Sequence, residues 1–253
     1  MTFSLAAASK GIAGLMPQPH AVTKIMMGLN FFMFMVSLAA TYSATQQIGL
    51  MANISSQVLY RLGARNTIDL LLHGELWRLV MPIFLHAGLL HIGMNTWVLL
   101  DLGPPLEDLY GSARYLFIYV ATGVLGFVAS TGWDLVLRRA GSSIGASGAI
   151  MGLAGLHLAV CTRRGGTYFQ AVRASILRWV LIVFAIGLLP GMAVDNAAHL
   201  GGLLSGYLFG MMFDDREPAT AGERMRANLL ALLALAVVVA SFAAVIMRYP
   251  LSS

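Results

Sequence analysis

Residues 229–247 form an apolar run without a single charged side chain. A stretch of about 20 apolar residues is long enough to cross the roughly 30 Å hydrocarbon core of a bilayer. Because lipid offers the backbone no hydrogen-bonding partners, such a run must form a helix. Charged residues make up only 11% of the chain, against about 25% in a typical soluble domain. The sequence therefore predicts an all-α integral membrane protein.

Six further apolar segments are long enough, or nearly so, to span the bilayer. The seven predicted spans cover residues 23–45, 88–109, 112–133, 144–162, 174–192, 196–213 and 226–248. The second, fourth and sixth spans contain polar residues and many glycines, which is typical of helices inside a bundle. The first and seventh spans are predicted to face lipid.

These spans predict the domain organisation. Residues 1–22 are a predicted cytoplasmic tail, residues 23–213 a six-helix core, and residues 214–253 a cytoplasmic linker, the seventh span and a short tail. A long first loop, at about residues 46–87, is expected to lie on the outer leaflet or dip into it. Its Trp77 and Arg78 fit a bilayer edge, where indoles concentrate and arginines snorkel towards water.

The distribution of Lys and Arg predicts the orientation. With the N-terminus in the cytoplasm, ten of the 16 basic residues fall on the cytoplasmic side, as the positive-inside rule requires. Arg138 and Arg139 run against the rule. We expect a multi-pass protein of a prokaryotic inner membrane. No nucleic-acid-binding motif is present, and the single cysteine, Cys161, excludes an intrachain disulfide.

Three polar residues share one predicted depth. His91, Ser147 and His199 each lie about three residues from the outer end of the second, fourth and sixth spans. At 1.5 Å per residue, all three fall within about one helical turn of the same level. Polar groups inside a membrane are costly and are often functional. Their convergence predicts a site within the outer leaflet.

Glycine spacing indicates which of these helices touch. Two glycine stripes consist of Gly148, Gly152 and Gly155 on the fourth span and Gly202, Gly206 and Gly210 on the sixth. Small residues at this spacing let helix backbones approach closely, which would bring Ser147 within hydrogen-bond reach of His199. A serine hydroxyl becomes a good nucleophile when a neighbouring base takes its proton. The pattern therefore predicts Ser147 as the nucleophile and His199 as the general base.

The second span offers donors for an oxyanion. His91 and Asn95 are four residues apart, so they lie on one helical face, and both side chains can donate hydrogen bonds. Donors aimed at the developing negative oxygen are the usual complement of a serine nucleophile. Backbone N–H groups at the start of the fourth span, including that of Ser147, could add to them.

The sequence lacks the motifs that other hydrolytic mechanisms and a transporter would need. The chain has no H-E-x-x-H zinc motif, and the serine motif is not the strand-linked G-x-S-x-G elbow of soluble hydrolases. An aspartyl mechanism needs two intramembrane aspartates, and Asp101 is the single plausible one. A transporter would place polar residues across the whole bilayer, whereas here they concentrate near one side.

Together these residues resemble the rhomboid family of intramembrane serine proteases. The resemblance covers about residues 75–213. It is carried by Trp77-Arg78 in the first loop, His86, His91 and Asn95 around the second span, Gly145-Ala146-Ser147-Gly148 in the fourth span, and His199, Gly202 and Gly206 in the sixth.

The resemblance implies a rhomboid-like six-helix bundle with an additional C-terminal transmembrane helix. It implies an endopeptidase that cleaves in or near transmembrane segments of single-pass or other membrane proteins, which enter from the lipid bilayer. No metal or cofactor is implied, and the oligomeric state is left open. The alternative is a catalytically inactive rhomboid-like protein that binds membrane clients.

The resemblance also implies the role of each site residue. Ser147 and His199 would form a dyad without an essential acid. The oxyanion site would combine His91, Asn95 and the backbone of Ala146 and Ser147. The implied structural supports are His86, Trp77, Arg78 and Glu107, together with Gly145, Gly148, Gly202 and Gly206 of the quoted motifs.

Some residues depart from the family pattern or leave alternatives open. Met151 stands where the family often has an aromatic residue that packs on the catalytic histidine, so we expect a modified support. Asp101 is an intramembrane acid without an assignable partner. Pro104 and Pro105 are expected to break or end the second helix early.

Two further polar residues lie between Ser147 and His199 in the sequence. Asp195 could orient His199 as a triad acid does, or it could cap the sixth helix together with Asn196. His157, ten residues past Ser147, is expected to be a packing or interface residue.

Overall fold

The computed structural model describes residues 20–248. Residues 1–19 of the predicted tail, and residues 249–253, lie outside the described part of the chain. The elements, in order, are α1 Ala21–Thr45, α2 Ser56–Arg61, β1 Arg65–Asn66, α3 Thr67–Leu72, two 3₁₀ turns at Leu76–Leu79 and Met81–Phe84, α4 Leu89–Tyr110, α5 Ser112–Val136, β2 Ser142–Ser143, α6 Ser147–Arg164, α7 Gly166–Ile186, α8 Asn196–Met212 and α9 Ala221–Arg248.

The seven long helices correspond to the seven predicted spans. Four of them, α1, α5, α7 and α9, are long and apolar enough to cross a membrane by length and composition. The other three, α4, α6 and α8, carry the polar and glycine-rich motifs. The prediction of an all-α integral membrane bundle with a seventh C-terminal helix is confirmed. One two-residue antiparallel pair, β1 with β2, is the only sheet in the described part of the chain.

Helix α4 continues through Pro104 and Pro105 to Tyr110, so the expectation that the prolines end it early was wrong. Proline removes one intrahelical donor and usually disturbs a helix. Within membrane bundles such prolines are tolerated because neighbouring groups satisfy the freed backbone carbonyls. Helix α4 instead ends at Tyr110 and is followed by the C-cap residue Gly111, whose φ of 75° lies in the left-handed region that glycine adopts at little cost.

Helix α6 lies at the centre of the bundle. Every residue from Gly148 to Cys161 is buried except His157. The glycine stripes of α6 and α8 meet directly: a Cβ added at Gly202 would overlap the carbonyl oxygen of Gly148, and one at Gly206 would overlap that of Gly152. Backbone contact of this kind is what small residues allow between membrane helices. It fixes the relative positions of α6 and α8.

Helix α7 is held most loosely. Of its 21 residues, only Ile176 and Val180 are buried, although the sequence pattern pointed to the first and seventh spans as the lipid-facing ones. It begins at Gly166 and ends at Ile186, about two turns earlier at each end than the predicted bounds of 174–192.

The first loop packs into the bundle. Ile83, Phe84 and Leu85 are fully buried, and the Phe84 ring lies 5.5 Å from that of Phe242 on α9. A Cβ added at Gly63, whose φ is +99°, would lie 3.3 Å from Val245 on the same helix. Helix α9 therefore supports this loop from one side.

Candidate active site

Ser147 and His199 are hydrogen-bonded partners. Ser147 is the first residue of α6 and His199 lies in the first turn of α8. The Oγ atom of Ser147 lies 2.8 Å from Nε2 of His199. The imidazole is buried, and its Nδ1 has no partner among the described residues. If Nδ1 carries the proton of the neutral ring, Nε2 is free to accept the serine proton.

The turn before Ser147 requires glycine. Gly145 has a φ of +127°, and a Cβ added there would lie 2.7 Å from Nε2 of His91. Its N–H donates to the carbonyl oxygen of Pro82 in the first loop, at 2.9 Å. The first loop therefore holds the chain just ahead of Ser147, and His91 lies against the same turn.

His91 lies at this turn, and Asn95 lies one helical turn further along α4. The backbone N–H of Ala87 donates to Nδ1 of His91 at 3.4 Å, which assigns the ring proton to Nε2, the nitrogen beside Gly145. The side-chain amide of Asn95 is buried, and its Nδ2 has no partner in residues 20–248. Ala146 is the N-cap of α6, so the N–H groups that follow it are not used by bonds within the helix.

His86 lies behind His91. The two rings meet edge to face with centroids 5.1 Å apart. Burial, reinforced by the neighbouring His91, lowers the pKa of His86 to about 3, so its imidazole is neutral at physiological pH. The position is that of a packing support for His91.

Asp195 caps α8. Its carboxylate accepts from the N–H of Ala198 at 3.0 Å and from the hydroxyl of Ser130. The side chain of His199 makes no hydrogen bond to it, because Nδ1 has no partner among the described atoms. Of the two roles left open by the sequence, the geometry is that of the cap.

Phe184 contacts the imidazole of His199, a contact that the sequence pattern did not reveal. The two rings meet edge to face, with centroids 6.2 Å apart and planes at 86°. Phe184 lies near the end of α7, and its carbonyl oxygen accepts from the amide of Asn196 at 3.1 Å. Met151 is buried in α6. The aromatic neighbour of the histidine therefore comes from another helix.

A buried ion pair fastens the loop that leads to Ser147, again without a signal in the motifs. Arg65 on β1 donates to the Asp134 carboxylate at 2.8 Å, and both side chains are almost fully buried. Thr67 donates to the same carboxylate at 2.6 Å. Arg139 pairs with the other oxygen at 2.8 Å. Arg139, which runs against the positive-inside rule, is thus paired with a carboxylate.

Arg78 is fully buried, so the expectation that it snorkels at a bilayer edge was wrong. Its guanidinium pairs with Glu75 at 2.6 Å, donates to the carbonyl oxygens of Tyr60 and Ala64, and lies over the Tyr60 ring. Such a pair can be buried because its hydrogen bonds are satisfied inside the loop. Trp77 is half-buried and packs against the core.

Glu107 joins three helices at the far end of α4. Its carboxylate accepts from the N–H groups of Val22 and Thr23, from the Thr23 hydroxyl and from Ser112. It therefore satisfies free donors at the start of α1. Its position is structural and remote from Ser147.

Gly148 on α6 and Gly202 on α8, both predicted as structural supports, differ in how tightly they are packed. A Cβ at Gly202 has no room, whereas a Cβ at Gly148 would meet only ordinary contacts, the nearest being the carbonyl oxygen of Ala198 at 3.7 Å. No cluster of three or more potential metal ligands occurs within residues 20–248.

Comparison with known proteins identifies the family. Residues 73–216 match the model of the Rhomboid domain family. The chain is 35% identical over 186 residues to the rhomboid protease GluP of Bacillus subtilis, an alignment that covers 72% of this chain and 34% of that protein. It is 37% identical over 175 residues to the mitochondrial RHOMBOID-like protein 6 of Arabidopsis thaliana, covering 68% and 54%.

A third relative is covered more fully. The chain is 32% identical over 201 residues to Rhomboid-like protease 2 of Toxoplasma gondii, which covers 78% of this chain and 70% of that protein. The chain spans only about a third to a half of the other two relatives. The matched segment contains α4 to α8 and thus Ser147, His199, His91 and Asn95. This chain belongs to the rhomboid family.

Proposed function

We propose that this protein is an intramembrane serine endopeptidase with Ser147 as nucleophile and His199 as general base. The observation that carries the proposal is the 2.8 Å contact between Ser147 Oγ and His199 Nε2. Serine and base lie on two helices whose backbones touch, so their geometry is rigid. Similarity to proteins named rhomboid proteases supports the same reaction class.

In the proposed first step, Ser147 Oγ attacks the carbonyl carbon of the scissile peptide bond while His199 Nε2 takes the hydroxyl proton. The protonated imidazole then gives this proton to the nitrogen of the leaving amine, and the C–N bond breaks. A water molecule, deprotonated by the same imidazole, attacks the acyl-enzyme, and its proton returns to Ser147 Oγ as the acid leaves. The dyad ends in its starting protonation state.

We assign stabilisation of the tetrahedral oxyanion to three hydrogen-bond donors. These are Nε2 of His91, Nδ2 of Asn95 and the backbone N–H at Ser147. Removing one donor from an oxyanion site typically slows the chemical step by about 10²–10³-fold. The unpartnered amide of Asn95 supports its assignment, because a buried donor without a partner is costly unless a ligand uses it.

Water would reach this site through an open cavity of about 810 Å³ between the first loop and the loop after α5. His91 and Ile144 are among its lining residues, and so are Asp195 and Asn196 at the start of α8. The substrate would be a transmembrane segment of another membrane protein, arriving laterally from lipid. Backbone hydrogen bonds must open before a helical carbonyl can be attacked, so segments that unwind easily are the preferred substrates.

The proposed setting is a membrane, with the active site nearer the face that carries the first loop. We propose that this face is the outer one and that the N-terminus is cytoplasmic in a prokaryotic inner membrane, as the Lys and Arg distribution predicts. The six-helix core at 23–213 would carry catalysis, and the 214–253 segment would add α9.

Active-site labelling tests the nucleophile. Purified protein in detergent is exposed to a fluorophosphonate, which reacts with activated serines. We expect labelling of the parent chain and none with Ser147→Ala or His199→Ala. Ser205→Ala is the matched control, because Ser205 lies on α8 and donates to the carbonyl of Gly202. Equal labelling of the parent chain and Ser147→Ala would refute the assignment.

Cleavage of a model transmembrane substrate separates a protease from an inactive client-binding protein. We expect the parent chain to release two fragments and Ser147→Ala to bind the substrate without cutting it. A parent chain that binds but neither cleaves nor labels would establish the client-binding alternative.

A further inference from the structure

Arg139 is an exposed cation in the wall of the open cavity that also reaches His91. Its side chain is 58% exposed, and its Nε donates to one oxygen of the Asp134 carboxylate at 2.8 Å. The two terminal nitrogens of the guanidinium make no hydrogen bond to residues 20–248. Because these two nitrogens carry four of its five N–H groups, Arg139 keeps most of its donors for a molecule in the cavity.

Asp134 does not use up the charge of Arg139. Its other oxygen accepts from Arg65 at 2.8 Å and from Thr67 at 2.6 Å. Arg65 and Asp134 are both almost fully buried, so this pair balances its own charge inside the protein. The cluster of Arg65, Asp134 and Arg139 therefore carries one net positive charge, and Arg139 is its exposed member.

Asp195 is the second acid in the cavity wall. Both of its oxygens are engaged, one by the N–H of Ala198 and the other by the hydroxyl of Ser130. The partial positive charge at the start of α8 offsets its negative charge. The two arginines and two aspartates of the wall balance in number. The available hydrogen-bonding groups do not balance, because both carboxylates already have donors whereas Arg139 has donors to spare.

Two hydroxyl groups lie in the cavity wall close to Arg139 in the chain. Ser142 and Ser143 form β2, and both line the cavity. The Oγ atom of Ser143 accepts from Nε of Arg65 at 2.9 Å, which leaves its own hydrogen to donate elsewhere. Ser142 is exposed. We call the guanidinium of Arg139 and these two hydroxyl groups the Arg139 site. Donors around one positive charge suit a carboxylate.

The chain limits how far the Arg139 site can lie from Ser147. Ser143 precedes Ser147 by four residues, and four residues span at most about 14 Å. A substrate segment that is extended where it meets Ser147 covers the same distance in about four residues. A substrate side chain within about four positions of the scissile bond can therefore reach the site.

We propose that the Arg139 site binds an acidic side chain of the substrate, located within about four residues of the scissile bond on the part that leaves the bilayer through the cavity. The proposal rests on the proposed function and adds a substrate preference to it. It also gives a reason for an arginine on the proposed outer face, where the positive-inside rule disfavours one.

Binding to a non-cleaving variant tests this site. The full chain with Ser147→Ala is reconstituted in phosphatidylcholine vesicles with a labelled transmembrane peptide that carries Asp, Asn or Lys at one position. Energy transfer reports the Kd, and the variable residue is moved stepwise along the outer half of the peptide. At the best position we expect Asp to bind about three- to fivefold more tightly than Asn, the upper range for a partly exposed ion pair, and Lys to bind more weakly than Asn.

Salt supplies a second readout. The difference between the Asp and Asn peptides should shrink in about 1 M salt, because salt screens exposed charges. A preference that arose from side-chain shape alone would not change. A salt-independent preference for Asp would therefore overturn the proposed ion pair.

Two substitutions then assign the preference to Arg139. Arg139→Gln should bring the Asp-to-Asn ratio of affinities close to one, and Arg139→Glu should reverse it. Each ratio compares two peptides on the same protein, so a loss of folded protein lowers both signals and leaves the ratio readable. Arg138→Gln is the matched control, because Arg138 is an adjacent exposed arginine that does not line the cavity. It should leave the ratio as it was.

Three results would each overturn the proposal. They are equal binding of the Asp and Asn peptides at every position, absence of binding by all peptides, and an equal effect of Arg138→Gln and Arg139→Gln. The last result would show that the net charge of the outer face, and not the Arg139 site, attracts the acid.

These results are independent of catalysis. Because binding is measured with Ser147→Ala, a protein that fails the fluorophosphonate experiment can still show the Asp preference. Conversely, a protein that labels and cleaves can show none. The proposed function and the proposed site can therefore fail separately.

Discussion

The ring of Phe184 meets the imidazole of His199 edge to face, with centroids 6.2 Å apart. This contact joins α7, the least buried of the long helices, to the proposed general base. His199 has a single side-chain hydrogen bond among the described residues, the one to Ser147. The aromatic contact is therefore a second constraint on the orientation of the imidazole ring.

Phe184→Leu should lower kcat about two- to tenfold with little change in KM, because aromatic pairs contribute about 0.5–1.5 kcal/mol beyond area burial. Turnover of a transmembrane substrate over a range of concentrations gives both constants. Adding Met151→Phe should restore part of the loss by supplying a ring from α6. Ile182→Ala, on the exposed side of α7, is the control. A change in KM alone would indicate that Phe184 acts on substrate binding.

Gly202→Ala should destabilise the protein more than Gly148→Ala. The new methyl group at Gly202 would overlap the Gly148 carbonyl and push α8 from α6, whereas a methyl group at Gly148 has room. Overpacking typically costs about 1–3 kcal/mol. Thermal unfolding in detergent measures the difference, and labelling of Ser147 should fall in parallel for Gly202→Ala. Equal effects of the two substitutions would contradict this packing.

The sequence predicted the helical bundle and the closeness of Ser147 and His199 for a physical reason. Apolar runs in lipid have one solution, the helix, and glycine stripes mark where backbones touch, so Ser147 and His199 could be brought together from spacing alone. The contact between Phe184 and His199 could not be predicted, because Phe184 lies on an apolar helix and no motif specifies how that helix is rotated about its axis. The buried pair of Arg65 and Asp134 was missed for a related reason, since loop residues carry no periodicity.

The wrong expectations for Arg78, Pro104 and Pro105 have a different cause. The sequence suggests what each residue does alone, an arginine seeking water or a proline ending a helix. The structure contains partners that alter the outcome, such as Glu75 and the Tyr60 carbonyl around Arg78. Tertiary partners of this kind are invisible in one sequence.

Asp134→Ala should be strongly destabilising. It would leave the guanidinium of Arg65 buried without its counter-ion, which typically costs about 3–5 kcal/mol. Arg139→Ala is the matched control, because Arg139 pairs with the same carboxylate but is mostly exposed, and exposed pairs contribute about 0–1 kcal/mol. Chemical denaturation reports both. If the two variants lost equal stability, the buried pair would not be the main attachment of this loop.

Glu107→Ala should loosen the far end of the bundle without touching the chemistry. Four donors would lose their acceptor, at about 1–3 kcal/mol for each donor that stays buried and unpaired. Asp108→Asn, on the exposed neighbour, should cost little. Hydrogen exchange at the start of α1 is the measurement. Unchanged protection there would show that Glu107 does not hold α1.

The packing of α9 determines when, during synthesis, the first loop can complete its packing. Phe242 meets Phe84 in the first loop, and the same loop supplies the Pro82 carbonyl that holds Gly145. Helix α9 follows all these residues in the chain, so it leaves the ribosome after them. The loop beside the proposed nucleophile thus acquires its full packing only when translation has passed the first eight helices. A chain still being inserted carries Ser147 and His199 but lacks the helix that packs behind their loop.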